Sequence, residues 1–379
     1  MGENAQVLAQ TEAPAAAHAS RSDHVAAASG LSGLADGVRE PVARYLRTFL
    51  ASHDAMAGDI DVAGELAEFV LRGKFMRAAL VAVGYHLAQP HPHRRGAAIP
   101  DDVVRCGAAL ELLHSALLIH DDVIDRSPTR RGEAAWHLAL PQMVGVADEH
   151  LGASMAICAG NLGYFWAQEI LTDLDAAPKA TARLNRLVAF SVASAGVGVM
   201  QELLLTAASD ASERDIDRVY TNKTALYSCS LPLLAGAILA GADQRLQDRL
   251  QNIGRDLGCL FQLIDDELDL YGDAEVTGKP VGTDTREGRK TMFYSLLRDA
   301  LSDDEWAEIA EWYGTERVTE EQLALLRHTI ERVGVLAGFR ERVRQLADEC
   351  RAEIRSLRSP RAAREGLETF LDAIVGRHR

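Results

Sequence analysis

The sequence predicts an all-α protein, a single large helical bundle, on three observations. Apolar residues recur at three- and four-residue spacing along most of the chain, as in Leu110, Leu113, Leu117, Ile119 and Ile124, or Leu257, Leu260, Phe261, Ile264 and Leu268. No segment shows the alternation of apolar and polar residues that a half-buried strand requires. Most prolines (Pro41, Pro90, Pro92, Pro100, Pro128, Pro141, Pro178, Pro280 and Pro360) fall between the periodic segments, where a residue without an amide proton punctuates helices.

Taken in order, residues 1–35 are rich in Ala, Ser and Gly without a sustained period, and read as a flexible tail. Residues 36–379 contain no linker-like stretch and read as one domain. The apolar, Ala- and Gly-rich segments 151–167, 186–206 and 225–242 read as helices buried on most sides. Pro232 lies inside the last of these, so a kink or break is expected there.

Composition narrows the function. The formal net charge of −15 argues against a nucleic-acid binder, which neutralises phosphates with basic stripes. Nowhere does an uninterrupted apolar run approach the roughly 18 to 20 residues of a membrane-spanning helix, so no integral membrane association is expected. Cys106, Cys158, Cys229, Cys259 and Cys350 are odd in number, widely spaced and form no C-x-x-C pair. That pattern disfavours a disulfide framework or a zinc site. It suits the cytoplasm, as does an N-terminus without the features of a signal peptide.

Two segments share a layout: Leu117-Leu118-Ile119-His120-Asp121-Asp122-Val123-Ile124-Asp125 and Phe261-Gln262-Leu263-Ile264-Asp265-Asp266-Glu267-Leu268-Asp269. Each is an apolar helix ending in D-D-x-x-D, so Asp121 with Asp125, and Asp265 with Asp269, present carboxylates on one face. Acids so placed repel one another and oppose the helix dipole unless a cation lies between them. Hard oxygen donors with no nearby Cys point to Mg²⁺, which also takes substrate phosphates as ligands. The alternative for either cluster alone is a solvated helix end.

Cations follow a pattern too. Only five are lysine, and four of these (Lys74, Lys223, Lys279 and Lys290) lie in the short windows 72–78, 221–224 and 278–291. Lysine offers a point charge to a phosphate oxygen and arginine a planar fork. Arg130-Arg131-Gly132 follows the first acidic cluster across Ser127-Pro128, a turn that could fold both guanidiniums back beside a metal.

The ordered set Gly73-Lys74-x-x-Arg77, His114, D-D-x-x-D at 121–125 with Arg130-Arg131-Gly132, Lys223-Thr224, and F-Q-x-x-D-D-x-x-D at 261–269 with G-K-P-x-G-x-D at 278–284 resembles the trans-isoprenyl diphosphate synthases over about residues 40 to 300. The resemblance implies a helical bundle around a central cavity and homodimerisation. It also implies a magnesium-dependent condensation of isopentenyl diphosphate with an allylic diphosphate, in which three Mg²⁺ ions bridge the acidic motifs. By resemblance Asp121, Asp125 and Asp265 are metal ligands, with Asp122, Asp266 and Asp269 supporting. Arg130, Lys223, Lys279 and Arg289 would contact the leaving diphosphate, and Thr224 and Gln262 would face the cationic carbons. Lys74, Arg77, His114 and Arg131 would hold isopentenyl diphosphate without metal.

Some positions depart from the family. Where it often has G-G-K-R-x-R-P, this chain reads Arg72-Gly73-Lys74-Phe75-Met76-Arg77-Ala78, and Arg289 stands in place of a usual lysine. Chain length, by resemblance, is read from the helix before the first acidic motif. There Ala116, followed by Leu117, lacks the aromatic of short-product relatives, so the product should exceed C15. Leu112, Leu113 and Tyr164-Phe165-Trp166 are candidates for a cavity floor, with ordinary core packing as the alternative. The favoured product is C20 geranylgeranyl diphosphate, and a longer polyprenyl diphosphate is the runner-up. A class I terpene cyclase would carry a different second motif and more aromatics. A non-catalytic partner subunit would have lost an acidic motif or the basic pocket.

Overall fold

A computed structural model describes residues 31–53, 61–90, 99–146, 148–272, 281–315 and 317–378. Its elements in chain order begin with α1 (Leu31–Ala51), α2 (Val62–Leu71), α3 (Met76–Leu87) and α4 (Asp101–Ile124). A two-residue hairpin follows, β1 (Thr129–Arg130) with β2 (Glu133–Ala134), then α5 (Trp136–Met143), α6 (Glu149–Thr172), α7 (Pro178–Ala207) and α8 (Glu213–Val219). A π-helix (Tyr220–Ser230) runs directly into α9 (Leu231–Leu239), which leads to α10 (Gln244–Tyr271). The chain continues with α11 (Thr283–Glu287), α12 (Met292–Ala300), α13 (Asp303–Ala310), α14 (Glu320–Arg332), α15 (Val335–Arg355), α16 (Arg361–Val375) and a final 3₁₀ turn (Gly376–His378).

Two apolar cores hold these helices. One gathers α1 to α6, with Leu46, Leu66, Leu110 and Ile170 fully buried. The other gathers the helices from α8 onward, around Leu257, Ile264, Phe339 and Phe370. Helix α3 serves both: Ala78, Val81 and Ala82 enter the first core, while Leu80, Val83 and Leu87 enter the second. A helix apolar on nearly all sides is what such a position demands, and Arg77 near its start is thereby fixed between the two cores.

The fold is all-α as the periodicity predicts, with four local differences. Residues 31–35, assigned to the tail, already belong to α1; residues 1–30 lie outside the described residues. Pro41 is inside α1, where the carbonyl four residues back belongs to Gly37, and Pro141 is in the last turn of α5. Neither therefore separates helices. The break expected at Pro232 falls just before it, where the π-helix gives way to α9 with proline in its first turn, the place a missing amide proton is tolerated. Finally, α4 and α7 are long and apolar enough to cross a membrane by length and composition. Counting only uninterrupted apolar runs concealed this. Most of α4 is buried in the bundle, whereas most of α7 is not.

Candidate active site

Helix α4 ends at the first acidic cluster, and the chain reverses at once: Asp125 is its C-cap and Arg126 adopts a left-handed conformation at φ 50°. The β1–β2 hairpin then turns through Arg131 (φ 55°) and Gly132 (φ 83°), the pair of positive values a tight hairpin requires. This reversal folds both arginines back. Arg130 Nε donates to Asp122 Oδ1 at 2.7 Å, and its terminal nitrogen donates to the same oxygen. Arg131 donates to the carbonyl of Phe69 and stacks over the Phe69 ring, 4.5 Å from its centroid.

Asp122 is 0% exposed, so Arg130 offsets a buried charge. Asp121 and Asp125 are part-exposed instead. Burial raises the pKa of Asp121, Lys223 pulls it down, and Asp125 raises it further. Asp125 Oδ2 accepts from Arg289 at 2.7 Å, and Arg289 also lies 3.6 Å from Glu202 and from Asp284. Burial opposes the charge on Arg289, but Glu202, Asp284 and Asp125 outweigh it and raise its pKa.

Lys223 and Thr224 ride on the π-helix. Such a segment is rare and marks functional sites; here close packing holds it. Gly198 of α7 abuts the Lys223 backbone and Gly258 of α10 abuts Ala225, with no room for a Cβ at either glycine. Lys223 pairs with Glu202 of α7. From Thr224 a chain of side chains reaches the second acidic cluster: Thr224 Oγ1 donates to Gln262 Oε1 at 3.1 Å, and Gln262 Nε2 donates to Asp266 Oδ1 at 3.1 Å. Tyr220 donates to the other oxygen of Asp266 and accepts the Met292 amide at 2.9 Å.

Asp266 is therefore enclosed, and burial raises its pKa well above the usual carboxylate range, with Asp284 adding to the rise. Asp269 accepts the amides of Thr283 at 3.0 Å and Asp284 at 3.2 Å, fastening the start of α11. Asp265 accepts from Arg377 of the terminal turn at 3.1 Å. Of the six aspartates, Asp122 and Asp266 are buried and Asp269 fastens α11, whereas Asp121, Asp125 and Asp265 are part-exposed, the last two paired with Arg289 and Arg377. Among the described residues no three His, Cys, Asp or Glu side chains converge tightly enough to hold a metal ion as they stand. The donor set nonetheless fits Mg²⁺: all are hard oxygens, and the Asp121–Asp125 repulsion is what a divalent cation would relieve.

The second cationic group lies behind the hairpin. Arg77 donates to Ser228 Oγ at 2.6 Å and sits 4.9 Å over the Tyr227 ring, and Tyr227 lies 3.5 Å from His114 Nδ1. Burial, then Arg77, Arg131 and Arg130, push the His114 pKa well below 6.5, so its imidazole is neutral. Lys74 stands apart at the rim. Its pKa is lowered by partial desolvation and by Arg377, against the pull of Asp265. Lys279 lies outside the described residues.

On the chain-length wall, Ala116 is fully buried and faces Gly163 of α6 so closely that a Cβ on Gly163 would come within 2.9 Å of it. Leu117 is partly buried, and Leu112 and Leu113 are core. The aromatic run divides. Tyr164 hydroxyl meets His120 Nδ1 at 3.2 Å, and Trp166 packs on His53 with 5.4 Å between centroids. Phe165 is 73% exposed and cannot be floor: one residue of helix turns the side chain by about 100°.

A family model described as polyprenyl synthetase matches residues 62–330. The chain belongs to the polyprenyl synthetase family. Among solved structures it is similar to the geranylgeranyl pyrophosphate synthase of Corynebacterium glutamicum, complexed with isoprenyl diphosphate and magnesium. The TM-score is 0.81 and the identity 30%, covering 92% of this chain and 99% of that one. The farnesyl diphosphate synthase of Mycobacterium bovis is 31% identical over 265 residues, 68% of this chain and 67% of that one. The geranylgeranyl diphosphate synthase of Mycobacterium tuberculosis is 34% identical over 222 residues, 58% of this chain and 57% of that one. The family thus includes similar proteins of different product names.

Several residues of the site are not legible as such in the sequence motifs. Glu202, between Lys223 and Arg289, and Glu111, beneath the second cationic group, are each an acid inside an apolar run, Val197–Leu205 and Ala108–Leu118, and that isolation was a readable signal. Tyr220, Tyr227, Ser228 and Arg377 carried none, because their partners are distant in sequence.

Proposed function

We propose that this chain is a magnesium-dependent trans-prenyltransferase that joins isopentenyl diphosphate head-to-tail (1′-4) to an allylic diphosphate, with all-trans geranylgeranyl diphosphate as product. One observation carries the reading: two differently built anion sites flank a single π-helix. On one side Lys223 and Arg289 accompany the part-exposed carboxylates Asp121 and Asp125, with Asp265 beside Arg377. On the other, Arg77, Arg131 and neutral His114 gather around the single buried carboxylate of Glu111. A reaction between two diphosphates, only one of which departs, needs this asymmetry.

Bound Mg²⁺ would supply Lewis-acid neutralisation of the leaving diphosphate, held by Asp121, Asp125 and Asp265. Lys223 and Arg289 orient that group and offset its charge as the C–O bond ionises. Thr224 and Gln262, already hydrogen-bonded together, turn oxygens toward the allylic carbons. Arg77, Arg131, His114 and rim Lys74 hold isopentenyl diphosphate so that its double bond reaches the cation, a gain in proximity. The proton then lost goes to the released diphosphate.

The small Ala116 supports a product beyond C15. We read the chain as a cytoplasmic homodimer. Its five cysteines are free, and the outer faces of α6 and α7 expose Ile157, Phe165, Phe190, Met200 and Leu204, an apolar patch suited to a second copy. Incubation with Mg²⁺, isopentenyl diphosphate and separate C5, C10 and C15 allylic diphosphates, with products sized by mass spectrometry, tests the reading. Elongation to C20 is expected. No elongation, or cyclic hydrocarbon products, refutes the activity; longer chains refute the product length.

A further inference from the structure

Helix α3 begins without a cap of its own. Its N-cap residue, Phe75, has no capping side-chain bond and is left-handed at φ 56°, a conformation disfavoured for a bulky residue. Two first-turn amides, those of Arg77 and Ala78, are instead satisfied from another helix. Glu111 of α4, only 3% exposed, accepts both through Oε1, at 2.9 Å and 3.0 Å. Those are the positions a side-chain cap normally serves, and a carboxylate suits the positive end of a helix.

The same carboxylate lies among the cations of the second anion site. Its charge favours protonated Arg131, against the burial that lowers that guanidinium's pKa. Three residues further along the same face of α4 is His114. Arg77 is thus fastened at both ends, its backbone to α4 through Glu111 and its side chain to the π-helix through Ser228. Phe75, 1% exposed, packs in the first core, with the Arg39 guanidinium 4.9 Å over its ring.

We propose that Glu111 is a positioning residue for isopentenyl diphosphate: by capping α3 from α4, it sets Arg77 and the preceding Lys74 in register with His114 and Arg131. This rests on the assignment of that pocket to isopentenyl diphosphate under the proposed function. Glu111 touches no substrate. What it fixes is the spacing of Lys74 and Arg77 against His114 of α4 and Arg131 of the hairpin, and it acts on one of the two diphosphates only.

The test compares Glu111→Ala and Glu111→Gln with wild type by steady-state kinetics, varying each substrate in turn, with hydrogen exchange at the Arg77 and Ala78 amides. Alanine should raise KM for isopentenyl diphosphate about tenfold while KM for the allylic diphosphate stays within about twofold, with faster exchange at both amides. Glutamine keeps an acceptor oxygen and should recover most of the lost affinity. Should alanine prevent folding, Glu111→Asp, which withdraws the carboxylate by one methylene, should raise the same KM selectively. Equal increases in both KM values, no change in either, or a glutamine variant no better than alanine would overturn the proposal. Wild type separates the two claims: if it does not elongate, the functional reading fails, whereas elongation by wild type with unselective variants rejects only the positioning role.

Discussion

His114 gives the most quantitative test of the pocket's electrostatics. An imidazole ordinarily titrates near 6.5, and here burial and three arginines hold it well below that value. Below pH 6.5 the unfolded chain takes up a proton that the folded chain refuses, so stability falls as the pH falls. At about pH 5.5, one unit below the reference value, an imidazole still neutral in the fold contributes a loss on the order of 1 kcal/mol; by about pH 7.5 the contribution has vanished. His114→Gln removes the titration while keeping a polar side chain of similar reach. Urea denaturation of both proteins at the two pH values gives a double difference in which the other titrating groups cancel. Wild type should lose on the order of 1 kcal/mol more than the variant on acidification. Equal pH dependence, or a wild type that gains relative to the variant, would refute the claim that burial and the arginines keep His114 neutral.

Three further outcomes are expected. Arg130→Ala leaves Asp122 buried without its counter-charge and should cost about 3 to 5 kcal/mol in chemical denaturation, partly recovered by adding Asp122→Asn; a loss below about 1 kcal/mol would contradict the buried pairing. Ala116→Tyr must place a ring between α4 and α6 at Gly163 and should shorten the product, read by mass spectrometry; an unchanged product profile would remove Ala116 from the cavity wall. Arg377→Ala frees Asp265 from its guanidinium and should lower the magnesium concentration for half-maximal activity about threefold; a raised requirement would show that Arg377 assists binding.

How much of this was legible in the sequence depends on how local each signal is. Helices α4 and α10 and the aspartates at their ends are encoded in consecutive residues, by a 3.6-residue apolar stripe that runs into acids. The Arg130–Arg131 turn is equally local, set by Ser127-Pro128 and Gly132. The π-helix could not be read, because residues 220–230 do not determine it alone: it is held from outside, where Gly198 and Gly258 let two other helices touch its backbone. Asp266 and Asp121 look alike as letters, yet one is enclosed by Tyr220 and Gln262 while the other is part-exposed, a difference made by residues 46 and 4 positions away in the first case. Phe165 was misjudged for the opposite reason. Within a helix, adjacent residues diverge, so a run of three aromatics cannot line one surface.

Helix α7 carries two loads on opposite sides. Its inner face supplies Gly198, against which the Lys223 backbone rests, and Glu202, which pairs with Lys223 and lies near Arg289. Its outer face exposes Val197, Met200, Leu203 and Leu204 within the same two turns. Whatever seats on that outer face also backs the wall on which Lys223 stands. With a second copy as the seat, protein concentration becomes a variable of catalysis: dilution would strip the brace before it touched any reacting group, and specific activity would decline together with assembly.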